Sequence, residues 1–249
     1  MLTATRQAKI LDSLHTDGEV TVEDLAGQFG VSLSTIRRDL NALSAEGLLR
    51  RVRGGGNIES DHVPFSDVEN QQRPEKLRIA TRAATLVKDG DVVLIDIGTT
   101  TALLARELRG RRITVITSSL AVIDELREDD AVELIVLGGA VRKNYNSMVG
   151  ALTQQALAEI RATTCFLGTS GIRPDGTIAD TTGMEVPVKL AMIASSQRTI
   201  VLADASKFPG VGLLNVCGPD MITAVITNED ADAETLAVLR AKGVEVMTA

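Results

Sequence analysis

Hydroxyl, amide and guanidinium side chains recur along one short segment near the amino terminus, LSTIRRDLNAL. Three of its apolar residues have the i, i+4, i+7 spacing of a buried helical face: Ile36, Leu40 and Leu43. The opposite face carries Ser34, Arg38 and Asn41, and the flanks carry Thr35 and Arg37. Arginine can hold a guanine edge through two hydrogen bonds, while Ser, Thr and Asn can bond to bases or phosphates. The spacing therefore predicts a helix that enters the major groove of DNA.

A second helix and a tight turn are predicted to position this helix. Thr21 precedes VEDLAGQF, with Asp24 three residues on, which is typical of a helix N-cap. Gly30 then interrupts the chain, Ser32 caps the next helix, and Glu46-Gly47 is predicted to end it. Two short helices joined by a glycine-containing turn form a helix-turn-helix.

Arginines alternate with apolar residues directly after this pair of helices, in LLRRVRGGGN. The pattern predicts a β-hairpin wing whose arginines contact phosphates. The predicted DNA contacts are therefore Ser32, Ser34, Thr35, Arg37, Arg38, Asn41, Arg50, Arg51 and Arg53. The alternative interpretation is a small helical packing or dimerisation module whose arginines are only solvated.

The charge distribution favours duplex DNA, although the whole chain carries a net charge of −7. Residues 1–57 hold seven basic and seven acidic residues, and residues 34–57 hold five Arg against Asp39 and Glu46. A local basic stripe is sufficient because the phosphate field acts locally. Only 2% of the residues are aromatic, which disfavours stacking on single strands.

Length and composition predict two domains in a cytoplasmic protein. The 249 residues divide into a DNA-binding domain at 1–57, a polar, Pro-containing linker at 58–74 that follows Gly54-Gly55-Gly56, and an α/β domain at 75–249. No apolar run approaches the roughly 18 residues of a membrane span. The two cysteines and two histidines are isolated, so neither a metal site nor a cofactor is expected.

Seven short runs rich in Val, Ile and Leu predict the strands of the second domain. They are Val92–Asp96, Ile113–Thr117, Glu133–Leu137, Thr164–Leu167, Thr199–Ala203, Ala224–Thr227 and Val244–Met247. Continuous apolar runs are typical of strands buried on both faces. Helices are predicted between most of them, and Leu77, Ala80, Ala84 and Val87 form one helical stripe before the first strand. The alternation predicts a mostly parallel, open α/β sheet.

Polar loops follow these strands, at the edge where open α/β sheets bind ligands. Asp96-Ile97-Gly98-Thr99-Thr100-Thr101 opens a helix and could cradle a phosphate. The other candidates from these loops are Thr117, Ser118, Gly138, Gly139, Arg142, Asp204 and Lys207. Together they predict a site for a small anionic molecule. Taken singly, each Gly-Thr turn could instead be a structural N-cap.

The segment FGVSLSTIRRDLNALSAEGLLRRVRGG resembles the signature of the DeoR/GlpR family of bacterial transcriptional regulators. The family motif is roughly VS-x-x-TIRRDL followed by L-x-x-x-G-x-L-x-R-x-HGGA. This chain departs from it at Arg53, where His is usual, and at Gly56, where Ala is usual.

The resemblance continues over residues 73–227, through LIDIGTTT, TVITSSL, VLGGAVR, FLGTSGI and LADASKF. It implies an effector-sensing domain similar in fold to ribose-5-phosphate isomerase that senses phosphorylated sugars. It also adds Lys189, paired with Glu185 in the family pattern, to the effector-binding candidates. The two are spaced i, i+4, so a plain surface ion pair is the alternative. Family members often have Asn in place of Ser118, and Asp within 162–164.

The resemblance therefore implies a homo-oligomeric repressor, a dimer or tetramer, that is released from operator DNA by a phosphorylated sugar. One alternative is a sugar-phosphate isomerase with a DNA-binding tail. Its candidate general bases would be Asp175, Asp180, Glu185 and Asp204. A second alternative is an architectural DNA-binding protein without a ligand.

Overall fold

The chain forms two compact units, Met1–His62 and Val63–Ala249. The computed structural model describes residues 3–17, 19–45, 50–52, 55–57, 65–210 and 212–249. Each unit has its own hydrophobic core.

The amino-terminal unit is a winged helix-turn-helix. Its elements are α1 (Thr3–Asp17), β1 (Glu19–Thr21), α2 (Val22–Phe29), α3 (Leu33–Ala45), β2 (Arg50–Val52) and β3 (Gly55–Asn57). The predicted cap is present, since the Thr21 hydroxyl accepts a hydrogen bond from the Asp24 amide at 3.0 Å. Gly30 ends α2 with a left-handed φ of 64°. The apolar face of α3 packs into a core with Ile10, Val22 and Leu25.

The wing is the antiparallel hairpin of β2 and β3, as the sequence predicts. Strand β1 pairs with the free edge of β3, giving the order β1-β3-β2. Strand β1 was not predicted, because three residues are too few to show an alternating pattern. Gly55 is required where β1 and β3 meet, since a Cβ there would lie 2.0 Å from the Val20 carbonyl oxygen.

The second unit contains the remaining elements. In chain order they are α4 (Phe65–Glu69), α5 (Arg73–Ala84), β4 (Val92–Ile95), α6 (Thr99–Glu107), β5 (Thr114–Thr117), α7 (Leu120–Leu126), β6 (Glu133–Val136), β7 (Ala140–Arg142), β8 (Ser147–Val149), α8 (Ala151–Ala158), β9 (Ala162–Gly168), β10 (Gly171–Ile172), β11 (Ile178–Asp180), α9 (Val186–Ala194), β12 (Ser196–Leu202), β13 (Leu214–Cys217), β14 (Ala224–Thr227), α10 (Ala233–Ala241) and β15 (Glu245–Thr248). Short 3-10 turns occupy Ala205–Lys207 and Pro219–Met221.

The predicted parallel sheet is present, and each of the seven predicted runs contributes one strand. Its order is β15-β14-β12-β9-β4-β5-β6, with parallel pairing throughout. Val93 and Ile95 belong to the hydrophobic cluster that includes residues of α5, α6 and α7, whereas Leu94 belongs to the cluster that includes residues of α8, α9 and α10. Burial on both faces explains the continuous apolar runs.

Three features of this unit differ from the sequence predictions. Leu77 is exposed, and the buried stripe of α5 comprises Ile79, Ala80, Ala83 and Ala84. The predicted linker at 58–74 contains α4 and the start of α5. Lys76 donates a hydrogen bond to the Val68 carbonyl at 2.7 Å, which docks α4 on α5. The hairpin β7–β8 and the small sheet β10-β11-β13 were also not predicted.

Gly55→Ala should disrupt the wing, because the added methyl group would collide with the backbone of Val20. We expect faster amide hydrogen exchange at residues 19–21, 50–52 and 55–57 and a lower unfolding temperature of the amino-terminal unit. Gly27→Ala is the matched control, since its Cβ would meet nothing within 4 Å. In the interior of α2 it should stabilise by up to about 1 kcal/mol. Equal exchange in the two variants would contradict the assigned role of Gly55.

Candidate functional site

Helix α3 presents the predicted polar face to solvent. Ile36, Leu40 and Leu43 are buried, whereas the exposed residues are Ser34, Arg37, Arg38 and Asn41. Thr35 is half-buried on the flank. Two guanidinium groups and one amide are thus available for base edges at the start and middle of this helix.

A cluster of hydroxyl groups forms the start of α3. Ser32 lies 2.8 Å from the Ser34 hydroxyl and 2.9 Å from the Thr35 hydroxyl, and it accepts a hydrogen bond from the Thr35 amide at 3.2 Å. The predicted cap is therefore formed. For the predicted wing contacts, the backbones of Arg50 and Arg51 lie in β2. Their side chains, and all of Arg53, lie outside the described residues.

A buried ion pair that sequence reasoning missed fixes α3 on α1. Arg6 and Asp39 are 6% and 2% exposed, and two hydrogen bonds join them, at 2.5 Å and 3.1 Å. Asp39 is therefore a positioning residue on the core side of α3, while Arg37 and Arg38 point away. The signal in the sequence was a single acid within an otherwise basic segment.

In the second unit, the loop after β4 forms a sharp turn into α6. Gly98 has a φ of 132°, which favours glycine, and it leaves the first turn of α6 without a side-chain cap. Thr99, Thr100 and Thr101 are all buried. Thr101 donates to the Gly98 carbonyl at 2.9 Å, which holds the turn. Amides at an uncapped helix start are able to donate hydrogen bonds to an anion.

The loop after β5 mixes structural and unused hydroxyl groups. The Thr117 hydroxyl donates to the Ile95 carbonyl at 2.7 Å, and Ser119 caps α7. The Ser118 hydroxyl is fully buried and has no hydrogen-bond partner within the described structure. Ser118 is thus the member of this loop whose hydroxyl the fold does not use.

Gly139, by contrast, has a packing role. A Cβ on Gly139 would lie 2.4 Å from the Thr153 hydroxyl and 2.6 Å from the Val149 carbonyl oxygen. Thr153 donates to the Gly138 carbonyl at 2.8 Å. This close approach accounts for Gly139 without a ligand, whereas a Cβ on Gly138 would meet nothing within 4 Å.

Lys189 lies at the centre of a buried charge network. Its ammonium donates to the Asp96 carboxylate and, at 2.9 Å, to the Gly168 carbonyl; Asp180 lies 3.4 Å away. Burial alone would lower the pKa of Lys189, but the carboxylates of Asp96 and Asp180 outweigh it and raise the pKa. Asp96 also accepts the Gly168 amide at 2.9 Å. The network ties together the ends of β4, β9 and β11.

Glu185, which directly precedes α9, and Lys189 do not form the surface ion pair that their i, i+4 spacing allowed. Glu185 is 1% exposed and accepts hydrogen bonds from Arg142 and Ser147, both at 2.8 Å. Arg142 also donates to Thr182 at 3.0 Å and lies over the Tyr145 ring. Glu185 therefore joins α9 to the β7–β8 hairpin, while Lys189 faces the sheet.

The turn after β12 carries a second group of charges. Asp204 is buried and accepts hydrogen bonds from the Ser206 amide, at 3.0 Å, and from its hydroxyl. Lys207 is half-buried beside it. Lys76, which the sequence analysis did not single out, is buried and interacts electrostatically with both. Burial lowers the pKa of Lys76 to about 8, with Asp204 opposing and Lys207 reinforcing the shift.

The carboxylates considered as general bases are engaged in structural roles. Asp180 accepts the Thr181 amide at 2.7 Å, and Asp175 accepts the Thr177 amide at 2.9 Å. Glu185 and Asp204 are held as described above. Among the described residues, no cluster of His, Cys, Asp or Glu could hold a metal ion, and no described helix is long and apolar enough to span a membrane.

The fold and these two sites define a two-domain transcriptional regulator with a winged DNA-binding unit. Residues 6–61 match the family profile of the DeoR-like helix-turn-helix domain, and residues 71–229 match the DeoR C-terminal sensor domain. The chain belongs to the DeoR family of DNA-binding regulators.

Relatives match over most of their length. The chain is 32% identical over 237 residues, 94% of each chain, to the glycerol-3-phosphate regulon repressor of Escherichia coli K12. It is 34% identical over 210 residues, 82% of each chain, to the lactose phosphotransferase system repressor of Lactococcus lactis. Among solved structures it is similar to ribose 5-phosphate isomerase A from Methanocaldococcus jannaschii, with a TM-score of 0.41 and 21% identity over 55% of each chain.

Arg38→Ala should abolish specific operator binding, because it removes an exposed guanidinium from the base-reading face of α3 without touching its core. A gel-shift titration with and without competitor DNA measures the specific fraction. Arg240→Ala, an exposed arginine of the other unit, should bind normally. Normal binding by Arg38→Ala would refute the recognition-helix assignment.

Lys189→Met should lower the free energy of unfolding of the second unit by about 3–5 kcal/mol, because it leaves buried carboxylates unpaired. Denaturant unfolding measures this loss. Adding Asp96→Asn should restore part of it. As a control, Arg112→Ala breaks a surface pair with Asp89 and should change stability little. An equal effect of Lys189→Met and Arg112→Ala would contradict the importance of the buried network.

Proposed function

We propose that this protein represses genes of carbohydrate metabolism and that a phosphorylated sugar, bound in the second unit, releases it from DNA. The names of the relatives support this proposal, since they describe repressors of the glycerol-3-phosphate regulon and of a lactose phosphotransferase system. The observation that carries it is the grouping of an uncapped helix start and two lysines at one edge of the parallel sheet.

The phosphate group would be held between two strand ends. The Gly98 turn follows β4, and Lys207 follows β12, two strands away in the sheet. At the usual strand spacing this is about 10 Å, the scale of a sugar phosphate. Lys76 reaches the same edge because the Asn228 side chain, after β14, donates to the Glu75 carbonyl at 3.4 Å. Amides of α6 and two ammonium groups would then neutralise the dianion.

The sugar hydroxyl groups would bond to other loops at this edge. The partnerless Ser118 hydroxyl supports an added contact there, because a buried hydroxyl without a hydrogen bond is costly. Asp96 and Lys189 would act beneath the ligand, holding the loops through their own ion pair. Arg142 would contribute at the rim, where it is already paired with Glu185.

Release from DNA would follow from linkage. An effector that binds one conformation or assembly more tightly shifts the equilibrium towards it, and that state would hold the DNA-binding units at the wrong spacing. A homo-oligomer, dimer or tetramer, is part of this proposal, since helix-turn-helix proteins usually read paired half-sites. The role is regulatory rather than enzymatic, in keeping with relatives that are named as repressors.

A sugar-phosphate panel should raise the unfolding temperature of the protein, because a ligand that binds only the native state stabilises it. At a hundredfold excess over Kd the gain is about 2.7 kcal/mol. Lys76→Met should weaken binding about tenfold to a hundredfold, since a charge-assisted hydrogen bond is lost. Lys88→Met, an exposed lysine before β4, is the control. Inorganic phosphate measures the phosphate contribution alone.

The pH dependence gives a second readout. Lys76 is charged below pH about 8 and neutral above it. Phosphate monoesters become dianions above about pH 6. Affinity should therefore be greatest between these values and fall as pH rises through 8, and Lys76→Met should lose that fall. Absence of stabilisation by every sugar phosphate would favour a DNA-binding protein without a ligand. Turnover of ribose 5-phosphate would favour the isomerase alternative.

A further inference from the structure

Leu33, the first residue of the recognition helix α3, is a large apolar side chain in solvent. It is 41% exposed. Among the residues of the DNA-binding unit whose side chains the structure describes, it is the only large apolar one that is this exposed. It also lies outside the set of half-buried residues that pack on this unit's core, which are Leu11, Ala26, Phe29 and Val31. Leu33 thus adds nothing to the core.

Single exposed leucines are common on protein surfaces and require no explanation by themselves. The surroundings of Leu33 distinguish it. Ser32 and Ser34, on either side, are both exposed, and their hydroxyls lie within hydrogen-bonding distance of each other at 2.8 Å. Four residues on, Arg37 lies on the same side of the helix and is exposed. Leu33 is therefore an apolar group within the otherwise polar, exposed face of the predicted recognition helix.

The position along the helix sets what Leu33 can reach. The amino-terminal residues of a recognition helix contact the base edges in the major groove. In that groove, thymine presents a methyl group, the one apolar feature of a base-pair edge, and apolar side chains recognise it by contact. The neighbouring hydroxyl and guanidinium groups suit the polar atoms of adjacent bases.

We propose that Leu33 determines specificity for thymine by packing against its 5-methyl group at one position in each half-site of the operator. Arg37 and Arg38 would then read polar edges, and Leu33 would exclude cytosine and the purines from the position it covers. The contact buries apolar surface on both partners. Its free energy therefore comes from burial of the methyl group and depends little on salt concentration.

The test uses the full-length protein and the duplexes that it selects from a random-sequence DNA pool. In the selected duplex, each thymine is replaced in turn by deoxyuridine, which lacks only the methyl group. We expect one thymine per half-site at which the wild-type protein loses about fourfold in affinity, the effect of one buried methyl group. Changing both half-sites should cost roughly fifteenfold.

Variants of Leu33 test whether this loss of affinity arises from the Leu33 side chain. Leu33→Ala should bind the thymine and deoxyuridine duplexes equally at this position, while Leu33→Met, which keeps an apolar chain of similar volume, should still discriminate. Leu152→Ala removes a leucine that is 69% exposed in the other unit and should leave the pattern of the wild-type protein unchanged.

Two results would overturn the proposal: tolerance of deoxyuridine by the wild-type protein at every position, or the same sensitivity in Leu33→Ala. The assay contains no sugar phosphate. A failure of the proposed effector response therefore does not alter this result, and the two hypotheses are tested separately.

Discussion

The buried ammonium of Lys189 is the interaction on which the second unit depends. It sits between Asp96 and Asp180 and also donates to the Gly168 carbonyl, so that one charge holds residues that follow or end three different strands. Loops are generally more mobile than the strands and helices that they connect. The buried ion pair limits the movement of the residues that form it, because separating two ions in a dry interior costs much free energy. This ion pair therefore holds in place Asp96, which lies two residues before the Gly98 turn.

In the DNA-binding unit, a buried ion pair between Arg6 and Asp39 fixes the orientation of α3 in a similar way. A short helix with an exposed polar face has little apolar area with which to fix its rotation. The bidentate contact between α1 and the core side of α3 supplies that constraint. Because Asp39 is held inward, Arg38 and Asn41 are held outward, and the orientation of the exposed polar face is set by a buried ion pair on the opposite side of the helix.

In both units, glycines are required where the backbone closely approaches other atoms of the protein. Gly55 lies against the Val20 carbonyl, and Gly139 lies against Thr153 and Val149. Gly98 differs, because its backbone conformation rather than crowding favours glycine. The same residue type thus serves strand pairing at Gly55, close packing at Gly139 and a positive-φ turn at Gly98. Gly98 and Gly139 both lie in a loop that follows a strand, and only their surroundings separate a candidate phosphate turn from a packing site.

The sequence by itself determined the winged helix-turn-helix, the outward polar face of α3 and the seven parallel strands. These follow from periodicities and caps within about ten residues, such as Thr21 with Asp24 or the apolar run at Val93–Ile95. The tertiary structure decided which charges meet. Arg6 and Asp39 are 33 positions apart, Asp96 and Lys189 are 93 apart, and no local pattern links them. It also brought Lys76 beside Lys207 and turned Glu185 towards Arg142, because such pairings depend on how elements pack rather than on their own composition.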